Sequence, residues 1–110
     1  MEPDPLKIAI DVDGVITEAP RFFAALTRAL RESGHTIYVL SDYDEAFRDL
    51  REEELAKCGI EYDELILTRR KTEYFEDLEM DFAIDDEAEY YFPRHSAIPM
   101  DLIPAINRDK

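Results

Sequence analysis

Residues 6–13 read LKIAIDVD, and this stretch decides the fold class. The apolar run at 6–10 is long enough for a buried strand but too short for a helix, and it ends at Asp11. A helical pattern follows at 20–33, with apolar residues three and four positions apart and Gly34 as the stop signal. A buried strand followed by a helix begins a β–α–β unit, which predicts a parallel sheet.

The same alternation continues along the chain. Apolar, β-branched or aromatic runs predict three further strands, at 36–40, 64–68 and 81–84. Helical patterns separate or follow them, at 44–58, 71–78 and, for a single turn, 87–91. A fifth strand at 96–100 would lie at the sheet edge, because Pro99 cannot donate a ladder hydrogen bond. This order predicts an α/β, three-layer Rossmann-like fold with a central five-stranded parallel sheet and helices on both faces.

The helical pattern at 44–58 carries a prediction about its buried face. Its apolar residues recur at helical spacing, at Phe47, Leu50, Leu55 and Cys58. We expect this face to pack on the sheet, and Cys58 to be a packing residue.

The composition limits the classes of protein to which the chain can belong. Its 110 residues suffice for one domain, expected over 1–110, and 45% apolar residues are typical of a globular fold. A single Cys excludes an internal disulfide framework and a multi-cysteine zinc site. No apolar run approaches the ~20 residues of a membrane span, and the first five residues lack a basic signal-peptide start. A cytoplasmic protein without a membrane partner is expected.

The formal charge of −14 is unevenly distributed along the chain. Residues 42–64 carry −7, and residues 72–93 hold nine acidic residues and no basic one. Solvated helix faces are the ordinary explanation of such blocks. Between them lies a basic triplet, Arg69, Arg70 and Lys71. So acidic a chain would repel a polyanion, which excludes an extended nucleic-acid surface.

Polar side chains follow each of the four predicted strands. They are Asp11 and Asp13, then Ser41 and Asp42, then Arg69 to Lys71, then Asp85 and Asp86. Because open parallel sheets bind ligands outside the carboxyl ends of their strands, we expect these groups to converge on one crevice. Carboxylates crowded together repel each other unless a cation lies among them, and oxygen ligands favour Mg²⁺. With Lys71 and Ser41 as donors to a phosphoryl group, the set describes phosphoryl transfer.

The sequence Asp11-Val-Asp13-Gly14 after the first strand resembles the first motif of phosphatases of the haloacid dehalogenase (HAD) superfamily. Ser41, Lys71 and the pair Asp85-Asp86 resemble its second, third and fourth motifs, in the right order over roughly residues 6–92. Asp13 to Ser41 spans 28 positions and Ser41 to Lys71 spans 30, each filled by one predicted helix and strand. The resemblance therefore implies a small capless phosphatase, with no inserted cap domain.

The resemblance also implies how the carboxylates act. Asp11 would attack phosphorus and form an aspartyl-phosphate, which divides one difficult displacement into two easier ones. Asp13 would protonate the leaving oxygen and then activate the hydrolytic water. Mg²⁺ would be held by the Asp11 carboxylate, the Asp13 backbone carbonyl and Asp85, with Asp86 as a further candidate.

The remaining motif residues would bind the substrate. Ser41 and Lys71 would hold the phosphoryl oxygens, and Gly14 would let the backbone turn sharply beside the phosphate. The expected partner is a phosphorylated small molecule, such as a sugar phosphate or nucleotide, or the phosphorylated end of a larger substrate. Capless sugar-acid phosphatases that form tetramers offer an analogy, in which a homo-oligomer supplies the missing lid.

Two other kinds of domain share part of this pattern. A receiver domain carries its phosphoacceptor Asp directly after the third strand and a Lys directly after the fifth, and this chain has neither at those places. A non-catalytic domain that binds a phosphorylated ligand, or an assembly domain on a HAD-like fold, would keep the same residues and stays open. The aromatic run Tyr90 to Phe92 either lines the crevice or packs in the core.

Overall fold

Four parallel strands form the centre of the computed structural model, which describes residues 5–92 and 97–99. The strands are β1 (Lys7–Ile10), β2 (Thr36–Ser41), β3 (Glu64–Leu67) and β4 (Phe82–Asp85), and their order across the sheet is β3-β2-β1-β4. A three-residue segment, β5 (Ala97–Pro99), pairs in parallel with the outer side of β4. The α/β class and the parallel pairing are thereby confirmed. The predicted ends of the last strand, residues 96 and 100, lie outside the described residues.

Helices connect the strands and pack against the sheet. They are α1 (Pro20–Glu32), α2 (Arg48–Lys57), α3 (Lys71–Asp77) and α4 (Ala88–Tyr91), and short 3-10 helices at Ile16–Glu18 and Glu45–Phe47 precede α1 and α2. Successive strand residues point to opposite faces, so Ile10 packs in one buried cluster and Ala9 in another. The first cluster contains Phe23 of α1 and Leu55 of α2, whereas the second contains Phe75 of α3 and Tyr91 of α4.

The carboxyl ends of the three central strands lie side by side. In the register of the sheet Ile10 is opposite both Val39 of β2 and Ile84 of β4. The Asp11 N–H then donates to the Ile84 carbonyl at 3.0 Å. The first predicted site residue therefore lies between the ends of β2 and β4.

Two strands are one residue longer at this edge than the sequence pattern indicated. Ser41 is the last residue of β2 and is paired with Leu67, and Asp85 is the last residue of β4. Both polar residues are therefore held by the ladder itself, because they lie within the hydrogen-bonded strands and not in the following loops.

The predicted buried face of the helix at 44–58 is wrong in part. Leu55 is buried as expected, but Phe47 and Leu50 are exposed, and Arg51 is buried in their stead. The segment starts as a 3-10 helix, capped where the Ala46 N–H donates to Asp44 Oδ1 at 2.8 Å. Within α2 (Arg48–Lys57), Arg51 lies four residues before Leu55 and so on the same face, whereas Leu50 lies five residues before Leu55 and on another face.

The two intervals in which a cap domain would be inserted are short. Residues 14–70 are all described, and each side of Ser41 holds one 3-10 helix, one α-helix and one strand. Residues 15–20 contain the 3-10 helix at Ile16–Glu18. Among the helices of the described residues, none has both the length and the apolar character to cross a membrane.

Candidate functional site

The centre of the site is a buried contact between one ammonium group and two carboxylates. Lys71 Nζ lies 3.1 Å from Asp11 Oδ1 and 2.8 Å from Asp85 Oδ2. All three side chains are buried, and Lys71 is only 2% exposed. Lys71 is the first residue of α3 and lies one helical turn before the buried Phe75, which anchors that helix in the core. The fold thus brings together groups from three separate segments.

Burial and crowding shift the protonation of this contact. Burial is the largest effect on Asp11 and, with the neighbouring Asp85 and a hydrogen bond to Asp86, raises its pKa to about 7 against the opposing effect of Lys71. Burial alone would lower the pKa of Lys71, but the Asp11 and Asp85 carboxylates raise it. Lys71 therefore stays protonated, while Asp11 is crowded by negative charge that one ammonium does not balance.

Asp11, Asp85 and Asp86 form a group suited to a divalent cation. Each offers one carboxylate oxygen, and these oxygens all lie within 4.8 Å of one another. Asp85 is held in place because its Oδ1 accepts the Glu87 N–H at 2.8 Å. Three carboxylates and one ammonium carry a net charge of −2 when ionised, so a divalent cation would neutralise them. An oxygen-only set of few carboxylates fits Mg²⁺, which keeps several waters.

Gly14 supports this group from the loop that follows β1. Its φ of +80° lies in the left-handed region, and a Cβ built on it would lie 2.6 Å from Asp86 Cγ. The Gly14 N–H donates to Thr17 Oγ1 at 3.0 Å. A sharp turn was expected at Gly14. In the structure this turn passes directly against Asp86, which explains why residue 14 has no side chain.

Asp13 lies apart from the three-carboxylate group. Its side chain is 67% exposed, and its two oxygens accept from Arg51, Nη2 to Oδ2 at 2.7 Å and Nη1 to Oδ1 at 3.3 Å. Arg51 is only 3% exposed and also binds Glu54, while its guanidinium lies 4.0 Å from the centre of the Tyr43 ring. Burial would lower the pKa of Arg51, but its hydrogen bond and charge contact with Asp13 raise it.

Ser41 is the least exposed of the predicted phosphate-binding residues. It is 1% exposed, and its Oγ has no hydrogen-bond partner among the residues that the structure describes. Its backbone carbonyl accepts from the N–H groups of Tyr43 and Thr68. A buried hydroxyl without a partner is unfavourable, so this residue is suited to receive a hydrogen bond from, or donate one to, a ligand.

Tyr91 connects Lys71 with the loop after β2. The Lys71 Nζ lies 4.4 Å from the centre of the Tyr91 ring, and the Tyr91 hydroxyl donates to Asp42 Oδ2 at 2.8 Å. Burial first, and then this hydrogen bond, raise the pKa of Tyr91. Tyr91 thus packs in the core and also contacts the site, so both interpretations of this aromatic residue hold. Its neighbour Tyr90 is exposed.

The basic triplet divides into two kinds of residue. Lys71 is buried in the site, whereas Arg69 and Arg70 are exposed. Arg69 Nε lies 3.6 Å from Asp42 Oδ1 and borders a cleft of about 420 Å³ beside Ser41. The cleft is lined by Asp42, Tyr43, Asp44, Phe47 and Arg69. Its walls are both aromatic and polar.

Sequence reasoning missed Arg51 and left Tyr91 undecided. One signal for Arg51 was available, since it lies four residues before Leu55, just as Lys71 lies four residues before Phe75. Lys71 is the first residue of α3 and Arg51 is the fourth residue of α2. In each helix the residue one turn later is buried. Helix starts in this fold face the carboxyl edge of the sheet, so both cations reach that edge.

The comparisons with known proteins found no relatives. No protein-family model matches the chain, and no curated protein or solved structure is significantly similar to it.

Proposed function

We propose that the protein is a Mg²⁺-dependent phosphatase that hydrolyses a phosphomonoester through an aspartyl-phosphate on Asp11. We propose further that residues 1–110 form one capless domain of the HAD type, with a three-layer Rossmann-like fold, a five-stranded sheet and a cytoplasmic location. The observation that supports the activity most is the buried contact of Lys71 with Asp11 and Asp85 at neighbouring strand ends.

A purely structural role explains that contact poorly. Burying two carboxylates and an ammonium costs free energy that a well-packed apolar cluster of similar volume does not, so such groups are weak stabilisers. A carboxyl group whose pKa is strongly raised beside specific charged neighbours is typical of functional sites. The unpartnered hydroxyl of Ser41 adds a second unfavourable group at the same edge.

Each residue of the site has a role in the proposed reaction. An Asp11 oxygen attacks phosphorus while Lys71, which already lies 3.1 Å from Asp11, binds a phosphoryl oxygen. Asp13 gives a proton to the leaving oxygen and takes one from the attacking water in the second step. Asp11, Asp85 and Asp86 would hold Mg²⁺, together with the Asp13 carbonyl that the family resemblance implies, and the bound ion would neutralise charge on the phosphoryl group.

The substrate class follows from the open edge beside this site. The described residues 14–70 provide no cap, and a cleft lies in the loop that follows Ser41. We propose a phosphorylated small molecule, such as a sugar phosphate or a nucleotide, or the phosphorylated end of a larger substrate. A second copy of the chain that covers this edge would serve as the lid.

The proposal is tested by hydrolysis of 4-nitrophenyl phosphate with and without Mg²⁺, using wild type and Asp11→Asn. We expect Mg²⁺-dependent turnover in the wild type and its loss in Asp11→Asn, with an unchanged thermal unfolding midpoint or a higher one. Asp77→Asn makes the same chemical change at an exposed residue of α3 and should leave turnover unaltered. Full activity in Asp11→Asn would refute the assignment.

One observation favours a second candidate, a domain that binds a phosphorylated ligand without hydrolysing it. The Asp13 carboxylate, the proposed proton donor, is held by Arg51 and is not in the group formed by Asp11, Asp85 and Asp86. Calorimetric binding of inorganic phosphate in the presence of Mg²⁺ by a folded protein that releases no phosphate from any substrate would support this candidate.

A further inference from the structure

Arg51 contacts the carboxylate of Asp13, although neither the motifs nor the proposed reaction includes an arginine. It lies in α2, 38 residues from Asp13, and its guanidinium reaches the Asp13 carboxylate from the face of the sheet opposite to Lys71. The contact is unequal, because Oδ2 is 2.7 Å from Nη2 whereas Oδ1 is 3.3 Å from Nη1. Oδ2 is therefore bound firmly and Oδ1 weakly.

The burial of Arg51 is difficult to explain by stability. The guanidinium is 97% removed from solvent, yet its Nε has no hydrogen-bond partner among the described residues. Its two carboxylate partners, Asp13 and Glu54, are largely or partly exposed and would be hydrated if Arg51 were absent. A buried guanidinium that is not fully hydrogen-bonded costs free energy, so an apolar side chain at 51 should fold at least as well.

We infer that Arg51 is a positioning residue for the proton transfer that Asp13 performs, an inference that rests on the proposed function. Arg51 Nη2 holds the carboxylate through Oδ2, which leaves the weakly bound Oδ1 as the oxygen that exchanges protons with the reacting groups. As Asp11 bonds to phosphorus and the bond from phosphorus to the leaving oxygen breaks, that oxygen takes the Oδ1 proton. As water then attacks phosphorus and the bond to Asp11 breaks, Oδ1 takes a proton from the water.

Two neighbours keep the guanidinium in the orientation that this role needs. Glu54, one turn further along α2, binds Nη1 at 3.2 Å, and the Tyr43 ring lies against the guanidinium at 4.0 Å. An arginine held on two sides presents its planar group in one direction, which a lysine cannot reproduce. Tyr43 also lines the cleft beside Ser41, so the residue that supports Arg51 also borders the space for the leaving group.

The test uses leaving groups that differ in their need for a proton. Release of 4-nitrophenol needs little protonation of the leaving oxygen, whereas release of benzyl alcohol needs it fully. In single turnovers, which isolate the first step, we expect Arg51→Met to slow release from benzyl phosphate by about 10-fold to 100-fold, and from 4-nitrophenyl phosphate by at most about 3-fold. Arg51→Lys should lie between wild type and Arg51→Met on the benzyl substrate.

A double variant shows whether Arg51 acts through Asp13. If it does, Asp13→Asn with Arg51→Met should be no slower than Asp13→Asn alone, because the second change removes support for a group that is already missing. The matched control is Arg48→Met, which removes another arginine of α2 that binds acidic neighbours and does not contact Asp13. This control should alter neither substrate's release.

The outcomes separate this inference from the proposed function. Equal slowing on both substrates, or additive losses in the double variant, would overturn the positioning role while leaving the phosphatase assignment intact. A wild-type protein that releases neither leaving group would refute the phosphatase assignment and this inference with it. If Arg51→Met unfolds, Arg51→Lys decides the question alone, because it keeps the buried charge and removes the planar contact.

Discussion

A Cβ atom placed on Gly14 would overlap Asp86 Oδ2, so the two residues keep this arrangement only if residue 14 is glycine. Real Cβ atoms do not approach another heavy atom so closely, and Asp86 would have to move. The moving atom is one of the three carboxylate oxygens of the proposed Mg²⁺ group. The packing of a backbone loop is therefore coupled to the geometry of the cation site.

This relationship predicts that Gly14→Ala weakens Mg²⁺ binding. Gly34→Ala is a close control, because Gly34 also has a positive φ, of +94°, but no described atom lies within 4 Å of a Cβ there. Both changes should lower stability by about 1 to 2 kcal/mol through backbone strain. Only Gly14→Ala should lower the Mg²⁺ affinity, by about 10-fold or more, since residues that hold metal ligands in position typically contribute that much. Calorimetric titration with Mg²⁺ measures the difference, and equal affinities in the two variants would contradict the prediction.

Removing the ammonium group should destabilise the Mg²⁺-free protein. In Lys71→Met the buried Asp11 and Asp85 lose their only described cationic partner, which should cost about 3 to 5 kcal/mol. Added Mg²⁺ should recover more stability in this variant than in the wild type, because the cation then replaces the missing charge. Urea unfolding with and without Mg²⁺ measures both quantities. Lys57→Met, at an exposed residue of α2 paired with Glu53, should change neither.

The raised pKa of Asp11 predicts how stability depends on pH without Mg²⁺. The folded carboxyl keeps its proton up to a pH of about 7, whereas the unfolded one releases it near 3.8. Between those values the folded state binds more protons, so this residue's contribution to stability falls as the pH rises. The decline should be smaller in Asp11→Asn than in the wild type or in Asp77→Asn. Urea unfolding in a chelator at pH 5 and pH 8 tests this. The same change in the free energy of unfolding between the two pH values in all three proteins would count against it.

Ser41→Ala should separate ligand binding from stability. Because the Ser41 Oγ has no partner among the described residues, its removal should leave the free energy of unfolding unchanged or raise it by up to about 1 kcal/mol. The KM for a phosphomonoester should rise. Thr27→Val is the contrasting variant, since the buried Thr27 Oγ1 donates to the Phe23 carbonyl at 2.7 Å and accepts the Glu61 N–H at 3.1 Å. It should lose about 1 to 3 kcal/mol and keep its KM. A stability loss in Ser41→Ala as large as that in Thr27→Val would show that the hydroxyl has a structural partner.

The parts of this site that could be predicted are those that the order of strands determines. Asp11 follows β1, and Asp85 is the last residue of the neighbouring parallel strand β4. The pairing of such strands aligns their carboxyl ends whatever the details of the helices. Lys71 could be placed for the same reason, because it begins the helix that connects β3 with β4. Their mutual contact is thus a consequence of chain order, although their catalytic roles stay predictions.

The parts that could not be predicted depend on the rotation of a helix about its axis. The spacing of four residues to Leu55 indicated the burial of Arg51, but the apolar residues Phe47 and Leu50 indicated another side of the same helix. The choice between Tyr90 and Tyr91 has the same origin, because α4 is a single turn and its inward side is decided by packing against Phe75 and Phe92. A periodic pattern indicates that a helix has a buried face but leaves its phase uncertain by a residue.

The two carboxylates of the Asp11-Val-Asp13 sequence are tied to opposite helical layers. Lys71 of α3 holds Asp11 from one side of the sheet, and Arg51 of α2 holds Asp13 from the other. The separation of the proposed nucleophile and the proposed proton donor therefore depends on the relative positions of the two helical layers. A small shear of either layer would change that separation, so a cavity made at Leu55 or at Phe75, remote from any substrate, should slow the chemical step.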